Sequence, residues 1–167
     1  MAKTASASRD RLKPRKPRES PGKQLAGFIA KFDPSVAKVI RSVRSALRKR
    51  LPTAVELVYD NYNFFVIGYS PTERPSDSIL SLAAASNGVG LAFLHGATLP
   101  DPHKILLGSG VQNRFVRLPS AAILKQPAVE ALIVEAIAQS KSPFLESGGG
   151  YTIIRSISAK QRPRRAS

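Results

Sequence analysis

The chain has 167 residues, 43% of them hydrophobic, with no cysteine and a formal net charge of +15 at pH 7. That length supports one domain with a core of its own. Without cysteine there is no disulfide, thiolate zinc site or thiol chemistry, and no run of about eighteen apolar residues marks a membrane span.

The basic opening MAKTASASRDRLKPRKPRES lacks the apolar stretch of a secretory signal. A cytoplasmic protein without membrane contact is therefore expected. The charge is unevenly placed. Residues 1–24 hold eight Lys/Arg against two acids, and AKQRPRRAS at 159–167 holds four against none. Both ends are poor in apolar residues and cannot bury enough surface to offset their ordering entropy. Residues 1–21 and 159–167 are thus expected to be disordered basic tails around a domain at 22–158.

Within that domain GKQLAGFIAKF places Leu25, Phe28, Ile29 and Phe32 on one face of a short helix. Asp33-Pro34 reads as a cap followed by proline at the first helical position. The second helix then carries Val36, Ile40, Val43 and Leu47 along one stripe and stops at Leu51-Pro52. AVELVYD and NYNFFVIGYS are strand-like, with Asp60-Asn61 between them as a hairpin turn. SILSLAAAS and VGLAFLHG flank Asn87-Gly88, a strong hairpin signal. VQNRFVRL alternates, with Val111, Phe115 or Val116, and Leu118 competing for the inward face. PAVEALIVEAIAQS is a third amphipathic helix, and GGGYTIIRSIS a glycine turn entering a last strand. This order predicts an α+β two-layer sandwich, with helices on one face of a largely antiparallel sheet of about five or six strands.

Chemistry-bearing patterns are sparse. His95 and His103 lie eight residues apart around Asp101, too few ligands for a mononuclear metal site. Gly108-Ser109-Gly110 lacks the third glycine of a dinucleotide fingerprint and the lysine of a phosphate loop. No Gly-x-Ser-x-Gly elbow exists, so no catalytic residue is assigned and no metal ligand set is named. Glu56 and Asp60 share one face of a strand about 13 Å apart, which suits solvated or salt-bridged carboxylates better than an acid/base pair. The helix at 34–50 stands out. Lys38, Arg41, Arg44 and Arg48 form a strip, and no acid occurs between Pro34 and Pro52 to relieve their repulsion. These four are the candidate anion-binding residues.

GVGLAFLHGATLPDPHKILLGSGVQNRFVRL, followed by PAVEALIVEAIAQ, resembles the YdhG-like family of bacterial domains of unknown function. The matching motifs are Gly96-Ala97, Leu99, Asp101-Pro102, Leu106-Leu107-Gly108-Ser109-Gly110 and Arg114, within a likeness covering about residues 25–158. Val111 and Phe115 stand where the family often has lysine and histidine, so no anion or metal role carries over to them. The resemblance implies a frataxin-like fold on a curved sheet. It also marks His95, Asp101, His103, Gly108, Gly110 and Arg114 as a candidate loop site. Iron enters as a cofactor only through this likeness, and the charge balance disfavours it; Asp60, Glu73, Asp77 and Asp101 are the acids left for a local patch.

The expected function is a noncatalytic binding module that engages nucleic acid or another polyanion nonspecifically through its tails and cationic helix. The alternatives are a frataxin-like iron-handling protein, and a small-molecule binder or enzyme using the 95–114 loop. Oligomeric state has no signal in the sequence.

Overall fold

The computed structural model describes residues 17–167. Residues 1–16 of the tail expected at 1–21 lie outside them, and its last residues are ordered, Ser20 capping and Pro21 opening the first helix, which corrects that boundary.

Helix α1 spans Pro21–Ala30, with proline in its first turn and the Ser20 hydroxyl accepting the Lys23 backbone N–H. Helix α2, Pro34–Arg50, buries Ala37, Ile40, Val43 and Leu47, so Ala37 takes the inward place that the spacing assigned to Val36. Asp33 does not cap this helix with its side chain; its Oδ2 accepts the Ala166 N–H instead. Strands β1 (Val55–Asp60) and β2 (Phe65–Ser70) form the expected hairpin, but its turn is the four residues Asn61–Phe64 rather than Asp60-Asn61, Asp60 pairing with Phe65 and the Asn61 N–H donating to the Phe64 carbonyl. In the next hairpin, β3 (Leu80–Ala85) to β4 (Gly88–Phe93), the two turn residues are Ser86 and Asn87. Gly88 already belongs to β4, at the positive φ of 131° that suits glycine alone.

Strand β5 (Arg114–Arg117) follows a long loop that returns to its outer edge, where Leu107 and Phe115 exchange both backbone hydrogen bonds. Val116 and Leu118 win the inward positions, and Val111 is 94% exposed. Helix α3 spans Pro127–Ala138, and β6 spans Tyr151–Ile157.

The sheet is open and six-stranded, in the order β5-β4-β3-β2-β1-β6. Every pair is antiparallel except β1–β6, which is parallel with a register shift after Val58. A parallel neighbour needs a crossover connection, and the chain from β5 through α3 supplies one. One core cluster joins Leu25, Phe28, Ile29, Ile40, Val43 and Leu47 of α1 and α2, and Leu132 and Ile133 of α3, to alternate residues of the sheet such as Val58, Ile67, Leu82 and Leu91. All three helices therefore feed the core on the same sheet face, and the chain is an α+β two-layer structure.

Strand alternation puts Ala54, Glu56, Val58 and Asp60 on that helix-facing side. Asp60 is fully buried. Its Oδ2 accepts from Nζ (2.7 Å) of Lys31, the residue that caps the C-terminus of α1, and its Oδ1 from Arg164 Nη2 (2.9 Å). Arg164 is itself 5% exposed and lies 5.9 Å over the Phe32 ring. Around this pair the Ser158 N–H donates to the Asp60 carbonyl, the Arg162 N–H to the Tyr62 carbonyl, and Gln161 Nε2 to the Asp60 carbonyl. The segment after β6 is therefore docked, which corrects the expectation of a disordered tail at 159–167. Composition missed it because one charged residue meeting a buried carboxylate, plus a few main-chain hydrogen bonds, can order a segment that has no apolar content.

Removing one partner of a buried ion pair leaves the other uncompensated, so Asp60→Ala is expected to lower unfolding free energy by about 3–5 kcal/mol in urea titrations. Burial acts to raise the Asp60 pKa, but the hydrogen bonds from Lys31, Gln161 and Arg164 outweigh it and hold the carboxyl below its ordinary value. A depressed folded pKa contributes stability that is complete above the unfolded value of about 3.9 and is lost as pH falls through the folded one. Wild type is expected to lose stability below about pH 4 more steeply than Asp60→Asn; equal acid slopes in parallel melts would contradict this.

Candidate functional site: a cationic cleft beside the second helix

The second inward acid of β1, Glu56, is 2% exposed and pairs with α2. Arg44 Nε donates to Oε2 (3.0 Å) and Arg44 Nη2 to Oε1 (2.9 Å), a planar two-point contact. Tyr69 Oη on β2 donates to Oε2 (3.0 Å) and Thr152 Oγ1 on β6 to Oε1 (2.9 Å). Four hydrogen bonds from three elements thus saturate one carboxylate. Burial lowers the Arg44 pKa, yet hydrogen bonding and Coulombic attraction to Glu56 lift it above its ordinary value. Burial first, and the Glu56 charge second, push the Tyr69 hydroxyl well above the usual tyrosine range. Tyr69 is therefore a neutral donor to the carboxylate.

Above the cluster lies a cleft of about 420 Å³ between the C-terminal half of α2 and the start of β6. Arg41, Arg44, Arg48 and Lys49 line its helical side; Pro52, Gly150 and Tyr151 line the other. The close approach of those walls needs Gly150, whose N–H donates to the Pro52 carbonyl and where a Cβ would collide with the carbonyl of Ala54. Glu56 is the sole acid in the lining, and Arg44 neutralises it. Arg48 Nε approaches it only to 3.9 Å, from a side chain 54% exposed. Cations in the last turn are also favourable at a helix C-terminus, which helps explain why α2 tolerates them.

The strip of four is thus divided. Arg44 serves as a structural partner of Glu56, which corrects its assignment as a free anion-binding group. Arg41 and Arg48 stay exposed in the cleft, Lys49 joins them unanticipated, and Lys38 is exposed outside it. The missing acids of α2 are supplied from elsewhere, by Glu56 and, at the helix end, by Glu130 of α3, whose Oε1 accepts from Arg50 (3.0 Å).

The motif-bearing loop does not assemble a site. Both Asp101 oxygens accept backbone N–H groups, from Ile105 and Leu106 (3.0 Å each). Arg114 turns back to the carbonyls of Gly110 and Asn113. His103 is exposed, and His95 lines a separate cleft of about 490 Å³ with Phe93, Thr98 and Gln139. None of Asp101, His103 and Arg114 reaches that cleft. Gly108 has φ +107° and Gly110 does not have a positive φ, while Gly96 abuts the backbone of Arg114 so closely that a Cβ would clash. These positions shape the loop. Asp60, Glu73, Asp77 and Asp101 are likewise dispersed, Glu73 accepting from Tyr151 and Asp77 from Thr72. Among the described residues no group of three or more His, Asp or Glu side chains is placed to share a metal ion, and no helix is long and apolar enough to cross a membrane.

No family model, curated protein or solved structure matches the chain.

Glu56→Ala, which strands Arg44 and leaves the Tyr69 hydroxyl unpaired, is expected to cost about 3–5 kcal/mol of stability. Arg48→Ala, at an exposed side chain, is expected to change it by less than about 1 kcal/mol. Chemical denaturation of the two variants beside wild type checks the contrast.

Proposed function

We propose that this chain is a noncatalytic binding module that engages nucleic acid nonspecifically, with the cleft beside α2 as a phosphate-binding surface. The observation that carries this reading is the excess of positive charge in the cleft, four cations against the one carboxylate of Glu56. Arg41, Arg48 and Lys49 face solvent in one concavity, and the single carboxylate beneath them is consumed by Arg44. Each phosphate neutralised by such a cation releases condensed counterions, so binding is driven by charge rather than by base contacts.

The same proposal includes membership of the YdhG-like family, with its frataxin-like layering, and a cytoplasmic location, the compartment where nucleic acid is available. The sequence motifs at 96–114 support the family assignment, and the helices-on-sheet arrangement suits it.

Fluorescence anisotropy of a labelled duplex between about 50 and 200 mM salt tests the reading. Log affinity is expected to fall linearly with log salt, and Arg41→Ala/Arg48→Ala/Lys49→Ala to flatten the slope by roughly 2–3 contacts at about 0.9 each. Salt-insensitive binding, or a triple variant that matches wild type, contradicts the proposal.

A further inference from the structure

The docked C-terminal segment lies along the β1–β2 turn, where Tyr62 and Phe64 are 49% and 51% exposed. Two large aromatic side chains left half in water on a four-residue turn are unpaired with the core. They alternate with Asn61 and Asn63, both exposed. The Arg162 N–H donates to the Tyr62 carbonyl (2.9 Å), and the Arg162 guanidinium sits 5.8 Å from the Tyr62 ring centroid. Lys160 and Arg165 are exposed on either side of it. Arg164, between them, turns inward to Asp60 and so pins the basic segment against the turn. The Asp60 carboxylate is fully buried and shared by two cations, so it presents no negative charge to this surface.

We propose that the β1–β2 turn and the docked segment form a platform for single-stranded nucleic acid. Tyr62 and Phe64 stack unpaired bases, and Lys160, Arg162 and Arg165 hold the flanking phosphates. This rests on the nucleic-acid reading above but assigns a second surface and a strand preference. Aromatic faces beside a cationic track are what single strands use, because every unpaired base offers a π-face, whereas duplex bases are already stacked. The interleaved asparagines favour this ligand over an anionic lipid surface, since exposed amides can bond base edges but resist insertion among acyl chains.

The test uses the full chain with labelled oligo-dT of about twelve nucleotides, the corresponding oligo-dT·dA duplex, and phosphatidylserine vesicles. At one salt concentration oligo-dT is expected to bind more tightly than duplex. Tyr62→Ala/Phe64→Ala is expected to weaken oligo-dT binding at least about tenfold while leaving duplex binding unchanged, and Tyr62→Phe to retain it. Both aromatics lie outside the core, and matched thermal melts confirm the fold. Independently, Lys160→Ala/Arg165→Ala is expected to reduce the single-strand salt slope by roughly 1.4, at about 0.7 per contact. Oligo-dT binding untouched by either double variant but lost in Arg41→Ala/Arg48→Ala/Lys49→Ala overturns this inference and spares the cleft. Variants that lower vesicle binding alone also overturn it, in favour of a membrane surface. Absence of binding to either nucleic acid overturns both readings.

Discussion

Two carboxylates on one strand, Glu56 and Asp60, organise the charge of this protein. Both point from β1 into the layer shared with the helices and are almost wholly out of water. Each is paired with cations from distant segments, Glu56 with Arg44 of α2, and Asp60 with Lys31 beside α1 and Arg164 near the C-terminus. A buried carboxylate without partners would be strongly disfavoured, and a buried guanidinium equally so. The pairs consequently specify how α1, α2, the sheet and the last ten residues meet. The apolar cluster supplies bulk cohesion, but Leu, Ile and Val contacts alone would tolerate alternative registers of α2 on the sheet. A two-point guanidinium–carboxylate contact tolerates few.

The pairing also sorts the cations. In a chain of formal charge +15, charge by itself says little about where an anion would bind. Once Arg44, Lys31 and Arg164 are assigned to internal partners and Arg50 to Glu130, two clusters stand out among the remaining exposed cations, the cleft beside α2 and the segment along the β1–β2 turn. Those groups lie at Arg41, Arg48 and Lys49 on one side, and at Lys160, Arg162 and Arg165 on the other. The buried acids thus hold positive charge in place on both surfaces, each anchored by a neutralised arginine between or beneath the free cations.

Much of the architecture was legible in the sequence because it follows from periodicity. All three helices, both hairpins and the final strand lie where apolar spacing places them, although each hairpin turn is displaced from its expected residue pair. The larger misses share one cause: long-range polar pairing has no local signature. Asp33-Pro34 looks like a cap, and the helix does begin there, but the carboxylate is diverted to Ala166, 133 residues away. AKQRPRRAS has the composition of a disordered tail, yet Arg164 finds a partner 104 residues back. The strip on α2 reads as free charge because Glu56 lies on another element. A hint was present, since the alternation that turns Val58 inward also turns Glu56 and Asp60 inward. Treating two inward acids as a demand for two inward cations would have recovered the pairs. The loop at 95–114 shows the reverse, for its candidate residues are gathered in sequence but separate in space: Asp101 and Arg114 bond different backbone groups, His95 lines another cleft and His103 is exposed.

The account turns on Glu56 and Arg44 being coupled across the layer rather than merely adjacent. A double-mutant cycle with Arg44→Met and Glu56→Leu, read by urea unfolding, measures that coupling directly. The expected interaction energy is between about 1 and 3 kcal/mol, with the double variant no less stable than either single one. Strictly additive losses, with a coupling near zero, would show that the buried carboxylate does not organise the helix, and the division of structural from free cations would fall with it.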